Sequence, residues 1–238
     1  MNTLLVDKDG KKIFRNITPE TNENTEYGII RQKGFNKRAG KLKTHTGYEL
    51  DAYETSLLER VEHMKMGSRP IYPYDSGIMC ALLSVRPGVR VLEAGTGSGG
   101  NTLYMAELGA SIDTFEREKE FFEKASKNLK NYENVKIKNA DVMTVKLKKS
   151  NYDVIFLDLQ NPSEALEKTF ASLKKGGFAG VYSPIMDDIK PVWRALESLG
   201  FMDIRAVQLS ALEIMVKKYA RVKGLLGFPG FFVWARKK

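Results

Sequence analysis

The chain has 238 residues, of which 42% are hydrophobic and 28% charged, a globular composition that excludes disordered, collagen-like and coiled-coil chains. One cysteine excludes a disulfide framework and a cysteine-based zinc site, and two histidines exclude a histidine-rich centre, so we expect no metal. No apolar run approaches the ~20 residues of a membrane span, and residues 1–20 lack a signal-peptide core, so we expect a soluble, cytoplasmic protein with no membrane partner.

The net charge of +9 is concentrated in two stretches. Residues 31–43 hold six basic side chains and residues 214–238 hold seven, and neither stretch contains an acidic one. The rest of the chain therefore carries a net charge of −4. Two basic zones on a mildly acidic body indicate an extended polyanion as partner, although a solvated lysine-rich surface gives the same pattern.

The first 64 residues predict a small, mostly β domain. The predicted elements are a hairpin with strands at 4–6 and 12–14, a short strand at 27–30 and a helix at 57–66. Arg69-Pro70 then marks a boundary. We expect one domain over 1–64 and a second over 65–238.

The second domain alternates between strand and helix patterns. The predicted strands are 89–95, 112–116, 135–138, 152–159 and 178–183. The predicted helices are 100–108, 119–131, 162–174 and 187–199. This alternation predicts a parallel sheet covered on both faces. Two later strands, at 204–209 and 231–235, are predicted to form an antiparallel pair with a long basic insertion. The fold class is therefore α/β, with the Rossmann-like sheet of class I methyltransferases.

A glycine-rich turn follows the first of these strands. The run VRVLEAGTGSGG over 89–100 leads from a hydrophobic strand through glycines into a helix, whose free N–H groups face a ligand. Gly95, Gly97 and Gly100 also satisfy the dinucleotide fingerprint, so the turn alone indicates only a nucleoside ligand.

Three acidic residues near strand ends favour a cationic ligand over a dinucleotide. Glu93 would repel a pyrophosphate and attract the ammonium group of S-adenosylmethionine. Glu116 closes the second strand, where it can accept from both ribose hydroxyls, and Asp141 follows the third, where it can accept from the adenine amino group. Each of these carboxylates could instead be a solvated group at a strand or helix end.

Asp158 ends the fourth strand, beside the position expected for the methyl group. A carboxylate there can accept a hydrogen bond from the amino group of a target adenine and offset the positive charge that the base acquires. N1 of neutral adenine already has its lone pair, so alignment and electrostatics suffice for catalysis. The alternative is that Asp158 caps the helix beginning near Pro162. Upstream, Tyr72 and Tyr74 of a Tyr-Pro-x-Asp turn could stack on a base or form a rigid interdomain turn.

Together these residues resemble a known family. The runs IYPYD at 71–75, LEAGTGSG at 92–99 and FLDL at 156–159 resemble the tRNA (adenine-N1)-methyltransferases that modify the T-loop adenine at position 58. The N-terminal run KLKTHTG at 41–47 and the ending GFFVWARK at 230–237 are similar as well.

The resemblance implies S-adenosylmethionine as cofactor, tRNA as substrate and a homotetrameric assembly, with Asp158 as the catalytic carboxylate. Some archaeal members also methylate position 57. The predicted cofactor contacts are Glu93, Gly95, Thr96, Gly97, Ser98, Gly99, Asn101, Glu116, Arg117, Asp141 and Asp158. The predicted RNA contacts are Tyr72, Tyr74, Lys33, Lys37, Arg38, Lys41, Lys43, Lys217, Lys218, Arg221 and Lys223.

Two departures from the family pattern lie where substrate would be contacted. The family commonly follows its aspartate with Pro-x-Pro-Trp, whereas Asp158 is followed by LQNPS at 159–163. A His-Thr pair usually precedes the last strand, and here those places hold Phe228-Pro229. Two alternatives therefore stay open: a non-catalytic tRNA-binding subunit, and a class I methyltransferase with another substrate.

Overall fold

The computed structural model describes residues 2–17, 22–31 and 38–238 and divides the chain into two compact units, Met1–His63 and Met64–Lys238. The predicted RNA contacts Lys33 and Lys37 lie outside the described residues. Within the described ranges, no helix is long and apolar enough to cross a membrane.

The first unit is built from short antiparallel strands. They are β1 (Asn2–Val6), β2 (Lys12–Asn16), β3 (Glu23–Thr25), β4 (Gly28–Ile30), β5 (Ala39–Lys43) and β6 (Glu49–Glu54). β2, β1, β6 and β5 form one sheet in that order, and β3 pairs with β4. The predicted hairpin is confirmed as β1–β2, because the carboxylate of Asp7 accepts from the N–H groups of Asp9 and Lys11 and closes the turn.

Helix α1 (Leu57–Glu62) ends earlier than the predicted 57–66. The hydroxyl of Ser56 accepts from the N–H of Glu59, and the Glu59 carboxylate accepts from the N–H of Ser56, which is a capping box. The helix closes at His63, whose ring stacks on Phe14.

The second unit is a seven-stranded sheet with helices. Its strands are β7 (Arg90–Ala94), β8 (Ser111–Glu116), β9 (Val135–Asn139), β10 (Tyr152–Leu157), β11 (Leu173–Ser183), β12 (Phe201–Val216) and β13 (Ala220–Lys237). Its α-helices are α2 (Pro73–Leu82), α3 (Gly100–Glu107), α4 (Lys119–Leu129), α5 (Pro162–Phe170) and α6 (Ile189–Ser198), the last preceded by a 3₁₀ turn (Met186–Asp188).

The strand order is β12-β13-β11-β10-β7-β8-β9. Strands β7 to β11 pair in parallel, and β13 joins β11 and β12 antiparallel. Alternate residues of β10 enter two different cores: Ile155 packs in one cluster and Phe156 in the other. Because both faces are covered at the centre of the sheet, β10 contains a continuous apolar run, VIFL over 154–157. The predicted α/β sheet with a C-terminal antiparallel pair is confirmed.

Two elements differ from the sequence-based expectation. Helix α2 occupies residues that the sequence suggested were a turn; it begins at Pro73, whose fixed φ and missing N–H suit a first helical position. Helix α5 ends at Phe170 instead of 174, because the carbonyl of Ser172 accepts from the N–H groups of Asn151 and Tyr152 and draws the chain into β11.

The basic insertion predicted between the last two strands is itself β structure. β12 and β13 stay paired from Ala211↔Leu226 to Val216↔Ala220, and we call this extension the arm. Leu212, Ile214 and Val216 alternate along β12, with Leu225 opposite Leu212 and Val222 opposite Ile214. All five of these side chains are exposed, so one face of the arm is apolar and uncovered within the chain.

Candidate functional site

A cavity of about 850 Å³ in the second unit lies where the parallel strands end. Residues at or just after the ends of β7, β8, β9 and β10 line it, as expected for ligand sites in open α/β sheets. Six of the predicted cofactor residues meet there: Gly95, Gly97, Glu116, Arg117, Asp141 and Asp158.

Glycines allow the close approaches in this wall. Gly95 has φ +90°, and a Cβ atom on it would overlap the carbonyl oxygen of Asp158. Gly97 has φ +57°, and its Cβ would overlap the hydroxyl of Ser68. Any other residue would therefore be strained in backbone and blocked in space at both positions.

Glu116 is buried and holds the glycine turn. Its Oε2 accepts from the N–H of Gly97 at 2.9 Å, and its Oε1 accepts from the N–H of Glu118 at 2.9 Å. A carboxylate has about four acceptor sites, so two remain for ligand hydroxyls. The bond to Gly97 also occupies an N–H that a dinucleotide-binding turn would present to pyrophosphate.

Asp158 is half-buried at the end of β10, and its N–H donates to the carbonyl of Ala94 at 2.9 Å. Burial raises the pKa of its carboxyl group to about 7, and the negative charges of Glu93 and Glu116 act in the same direction. Helix α5 has Asn161 as its N-cap residue, so Asp158 does not cap it. The carboxylate is thus held in a cluster of like charges, where a cation would be stabilised.

Asp141 lines the cavity beyond β9. Its Oδ1 accepts from the N–H of Met143 at 2.9 Å, which fixes the carboxylate at the start of the 141–144 turn. The apolar side chains of Phe115, Val142 and Met143 belong to the same wall. Apolar walls with one fixed acceptor suit the flat face and amino edge of a purine.

Glu93 does not line the cavity. It is only 1% exposed, and its carboxylate accepts from the hydroxyl of Thr102 and from Nδ2 of Asn101, the latter at 3.2 Å. Burial raises its pKa, against those hydrogen bonds. A direct contact between Glu93 and the cofactor stays a prediction; the structure places the side chain behind the glycine turn.

Four further predicted cofactor residues also lie outside the cavity lining. Thr96 is hydrogen-bonded to Thr114 through their hydroxyls at 2.6 Å. Ser98 donates to the carbonyl of Ser68 and accepts from the N–H of Gly67, so it fastens the preceding segment to the turn. Gly99 is the N-cap residue of α3. Asn101 is 5% exposed, and its Oδ1 has no hydrogen-bond partner within the described residues.

The two predicted stacking residues flank the start of α2. Tyr72 and Tyr74 stack on each other with ring centroids 5.4 Å apart, and neither lines the cavity. Asp75, in the first turn of α2, is 7% exposed, and burial raises its pKa to about 6.

Sequence reasoning missed Ser68, Arg69 and Tyr182. Ser68 and Arg69 line the cavity from the segment before α2. Tyr182, near the end of β11, has its pKa raised by burial and then by the charges of Asp75 and Asp158, so it belongs to the same electrostatic neighbourhood. β10 pairs with β11 up to Leu157↔Val181, so Asp158 and Tyr182 each directly follow a paired residue, a relationship that only the sheet topology reveals.

A hydrogen bond joins two strand-end loops at the cavity. Nη2 of Arg117, after β8, donates to Oε1 of Gln160 at 3.3 Å, while its Nε donates to Glu118. Gln160 is one of the residues that depart from the family pattern. The departure from the family pattern at Gln160 therefore changes a hydrogen bond at the mouth of the cavity.

The basic side chains among the predicted RNA contacts that the structure describes are exposed. Arg38, Lys41 and Lys43 belong to the first unit, where Lys41 and Lys43 pair with Glu49 at 3.7 and 3.0 Å. Lys217, Lys218, Arg221 and Lys223 lie on the arm, with Lys223 paired to Glu213. Over 2–17, 22–31 and 38–238, no group of three or more acidic, histidine or cysteine side chains is placed to hold a metal ion.

Known proteins match both the sequence and the fold. The family model for the tRNA methyltransferase complex GCD14 subunit matches residues 63–225. The tRNA (adenine(58)-N(1))-methyltransferase TrmI of Thermus thermophilus is 34% identical over 184 residues, covering 75% of this chain and 72% of that protein. The tRNA (adenine(57)-N(1)/adenine(58)-N(1))-methyltransferase TrmI of Methanocaldococcus jannaschii is 27% identical and covers 98% of this chain and 94% of its own.

Among solved structures, tRNA (m1A58) methyltransferase TrmI from Aquifex aeolicus superposes with a TM-score of 0.76 at 24% identity, covering 100% of this chain and 97% of that one. An S-adenosylmethionine-dependent O-methyltransferase from Thermotoga maritima superposes with a TM-score of 0.80 at 24% identity, covering 99% and 92%. These two likenesses show the fold over both units.

Proposed function

The chain belongs to the tRNA methyltransferase complex GCD14 subunit family, and on that premise we propose that it methylates N1 of adenine 58 in the T-loop of tRNA. The observation that carries this proposal is the convergence of Asp158, Glu116 and Asp141 on one cavity at the carboxyl edge of the sheet. The Thermus relative has the same activity in its name, and the Methanocaldococcus relative adds position 57.

The cavity fits S-adenosylmethionine better than a dinucleotide. Six acidic side chains and two arginines line it, and this negative excess would repel two phosphates. The N–H of Gly97 is also already donated to Glu116. Glu116 would hold the ribose hydroxyls and Asp141 the adenine amino group, while Gly95 and Gly97 let the chain approach the ligand closely. The cofactor supplies the methyl group on a positively charged sulfur.

Asp158 would orient and stabilise the target base. Its carboxylate would accept from the exocyclic amino group, which directs N1 toward the methyl donor and offsets the positive charge that the ring acquires. A positively charged cofactor beside Asp158 would lower its pKa again and keep it ionised during transfer. No proton has to leave N1 before it attacks.

The target base needs a wall on the side of α2. Tyr72 and Tyr74 are proposed to offer an aromatic face there, and Arg69 and Tyr182 would complete the surroundings of Asp158. Direct cofactor contacts by four further residues stay predictions: Thr96, Ser98, Gly99 and Asn101. The side chains of Thr96 and Ser98 are already hydrogen-bonded behind the turn, whereas Oδ1 of Asn101 has no partner among the described residues.

Basic side chains in both units are proposed to contact tRNA phosphates. The described ones are Arg38, Lys41, Lys43, Lys217, Lys218, Arg221 and Lys223. We also propose that the protein is a cytoplasmic homotetramer, and the exposed apolar face of the arm supports self-association. The curated fungal relatives are named as catalytic subunits, so a partner subunit is the alternative assembly.

The decisive experiment is methyl transfer from labelled S-adenosylmethionine to unmodified tRNA transcript by the purified chain alone. Nuclease digestion and mass spectrometry then locate the product, with transcripts carrying guanine at position 57 or 58 as matched substrates. We expect 1-methyladenosine that is lost with the position 58 change. Transfer to another base, or none despite measured tRNA and cofactor binding, would contradict the proposal and favour another target or a non-catalytic subunit.

A further inference from the structure

A second large cavity of the second unit, about 620 Å³, lies at the opposite edge of the sheet, where the parallel strands begin. The turn before β7, the start of β10 and the 174–178 segment line it. Arg236 also lines it, because β13 runs antiparallel and pairs Arg236 with Phe178. We call this cavity the basic hollow.

The basic hollow carries an excess of positive charge. Its lining includes four basic side chains, Arg86, Lys174, Lys175 and Arg236, and one acidic side chain, Asp153. Asp153 forms an ion pair with Lys174, in which the Lys174 Nζ lies 2.8 Å from the Asp153 Oδ1. In the described part of the chain no ion pair neutralises the other three cations, so the hollow attracts anions.

Both arginines are held in place while keeping donors free. Nε of Arg236 donates to the carbonyl of Gly176 at 3.0 Å, and its guanidinium lies 5.3 Å from the ring centroid of Phe178. Nη1 of Arg86 donates to the carbonyl of Ser84 at 3.1 Å. A guanidinium has five N–H donors, so each arginine retains donors in a fixed orientation, as suits bidentate recognition of phosphate.

We propose that the basic hollow binds the phosphodiester backbone of the RNA substrate, at a distance from the methylated nucleotide. Asp153 and Asp158 begin and follow the same strand, so the two cavities are separated by about 17 Å at ~3.3 Å per residue. Every nucleotide of an RNA chain carries a backbone phosphate, so RNA can reach both cavities where a mononucleotide cannot. This inference rests on the proposed function, from which it takes its ligand.

The test is the double variant Arg86→Ala/Lys175→Ala. Both side chains are exposed, and Arg236, which packs on Phe178, stays in place so that the fold is kept. We expect tRNA affinity to fall about tenfold or more and the slope of log affinity against log salt to flatten by about one unit per removed cation. KM for tRNA should rise by the same factor, with kcat at saturating tRNA and affinity for S-adenosylmethionine unchanged.

The matched control is Lys127→Ala/Lys130→Ala, which removes two exposed lysines, one in the last turn of α4 and one at its C-cap. An equal loss in the control would mean general electrostatics and overturn the site. Unchanged tRNA affinity and salt slope in the double variant, while the wild type methylates tRNA, would overturn this inference and leave the proposed function standing. A wild type that neither binds nor methylates tRNA would remove both.

A calorimetric titration with ATP separates RNA from small phosphorylated ligands. We expect ATP to bind weakly to wild type and double variant alike. Tight binding that the double variant loses, together with unchanged tRNA binding, would assign the basic hollow to a small ligand and overturn the RNA proposal.

Discussion

The α-carbon of Gly95 lies against the carbonyl oxygen of Asp158, so closely that a Cβ atom at position 95 would overlap that oxygen. The glycine directly follows β7 and the aspartate directly follows β10, and the N–H of Asp158 donates to the carbonyl of Ala94 beside this contact. The glycine turn therefore sets the position of the proposed catalytic carboxylate as well as the space for the cofactor.

Gly95→Ala should abolish methyl transfer, because the new methyl group must displace the backbone of Asp158. Gly200→Ala is the matched control: Gly200 has a similar φ of +75° but nothing within 4 Å of its Cβ position. We expect the control to lose only about 1 kcal/mol of stability and to keep its kcat. Equal loss of activity in the two variants, measured at a temperature where both are folded, would show that strain and not contact is responsible.

Asp158→Asn should lower turnover about 100- to 1,000-fold while leaving cofactor affinity within a few-fold. The same variant should stabilise the fold at alkaline pH. In the wild type, the pKa of Asp158 is about 7 in the folded state and therefore lies above its unfolded value. The folded state thus favours the neutral carboxyl group, and the free energy of unfolding decreases as the pH rises from about 4 to 7. At pH 8 the ionised Asp158 destabilises the wild-type fold by up to about 4 kcal/mol, and the asparagine variant does not carry this destabilisation.

Thermal unfolding at pH 5 and pH 8 checks this linkage. The gain in midpoint of Asp158→Asn over wild type should be larger at pH 8. A gain that is the same at both values would show that Asp158 is ionised in the folded protein throughout.

The wild-type kcat/KM for the cofactor should rise with pH and level off above about 7, because the ionised form of Asp158 is the active one and free enzyme determines this parameter. The pKa seen in kcat should be lower, since the bound sulfonium favours the charged carboxylate. Asp75→Asn should keep the inflection near 7, whereas Asp158→Asn should lose it. An inflection near 7 that survives in Asp158→Asn would assign the titration to another group.

Glu116→Gln should weaken S-adenosylmethionine binding about tenfold, because one carboxylate both holds the N–H of Gly97 and is proposed to take the ribose hydroxyls. kcat at saturating cofactor should change little. Glu133→Gln, an exposed acid outside the cavity, is the control in calorimetric titrations. Retained affinity in Glu116→Gln would limit Glu116 to supporting the turn.

Leu212→Lys/Leu225→Lys should reduce the molecular mass of the assembly in solution, because charged side chains would prevent two copies from meeting at the apolar face of the arm. Leu212 and Leu225 lie opposite each other on that face and are 57% and 52% exposed. Light scattering coupled to size exclusion measures the change. Glu213→Gln, one residue along the arm, should keep the wild-type mass. An unchanged mass in the double lysine variant would exclude the arm from the assembly interface.

Local sequence was enough to predict the elements whose residue types directly restrict the backbone conformation. The strand, glycine turn and helix over 89–108 were predicted nearly residue by residue, because a β-rich run followed by glycines has few other conformations. Helix α2 was not predicted, since its tyrosines and prolines resemble a turn and only Pro73 marks the start. The antiparallel pairing of β12 with β13 was predicted, but the arm was not, because lysine and glycine are depleted in strands and obscure the strand pattern there.

The site divides in the same way. Glu116 and Asp158 follow from strand ends, which share an edge in any parallel sheet. Glu93 is likewise an acidic residue near a strand end, but its side chain points inward and is hydrogen-bonded to Thr102 and Asn101 of α3. This orientation depends on the packing of α3, which the local sequence does not reveal. Tyr182 was missed because nothing in its neighbourhood along the chain distinguishes it from a core tyrosine.

The proposed self-association through the arm would make the folding of the arm depend on protein concentration. Two strands that pair only with each other are marginally stable in water, and the arm presents an uncovered apolar face besides. A partner copy that covers this face would stabilise the arm by mass action. From the arm, β13 continues into the sheet and pairs with β11, which lies next to β10, the strand that Asp158 follows. Under the proposed self-association, dilution would therefore destabilise the arm first, and the effect would pass along β13 toward the centre of the sheet.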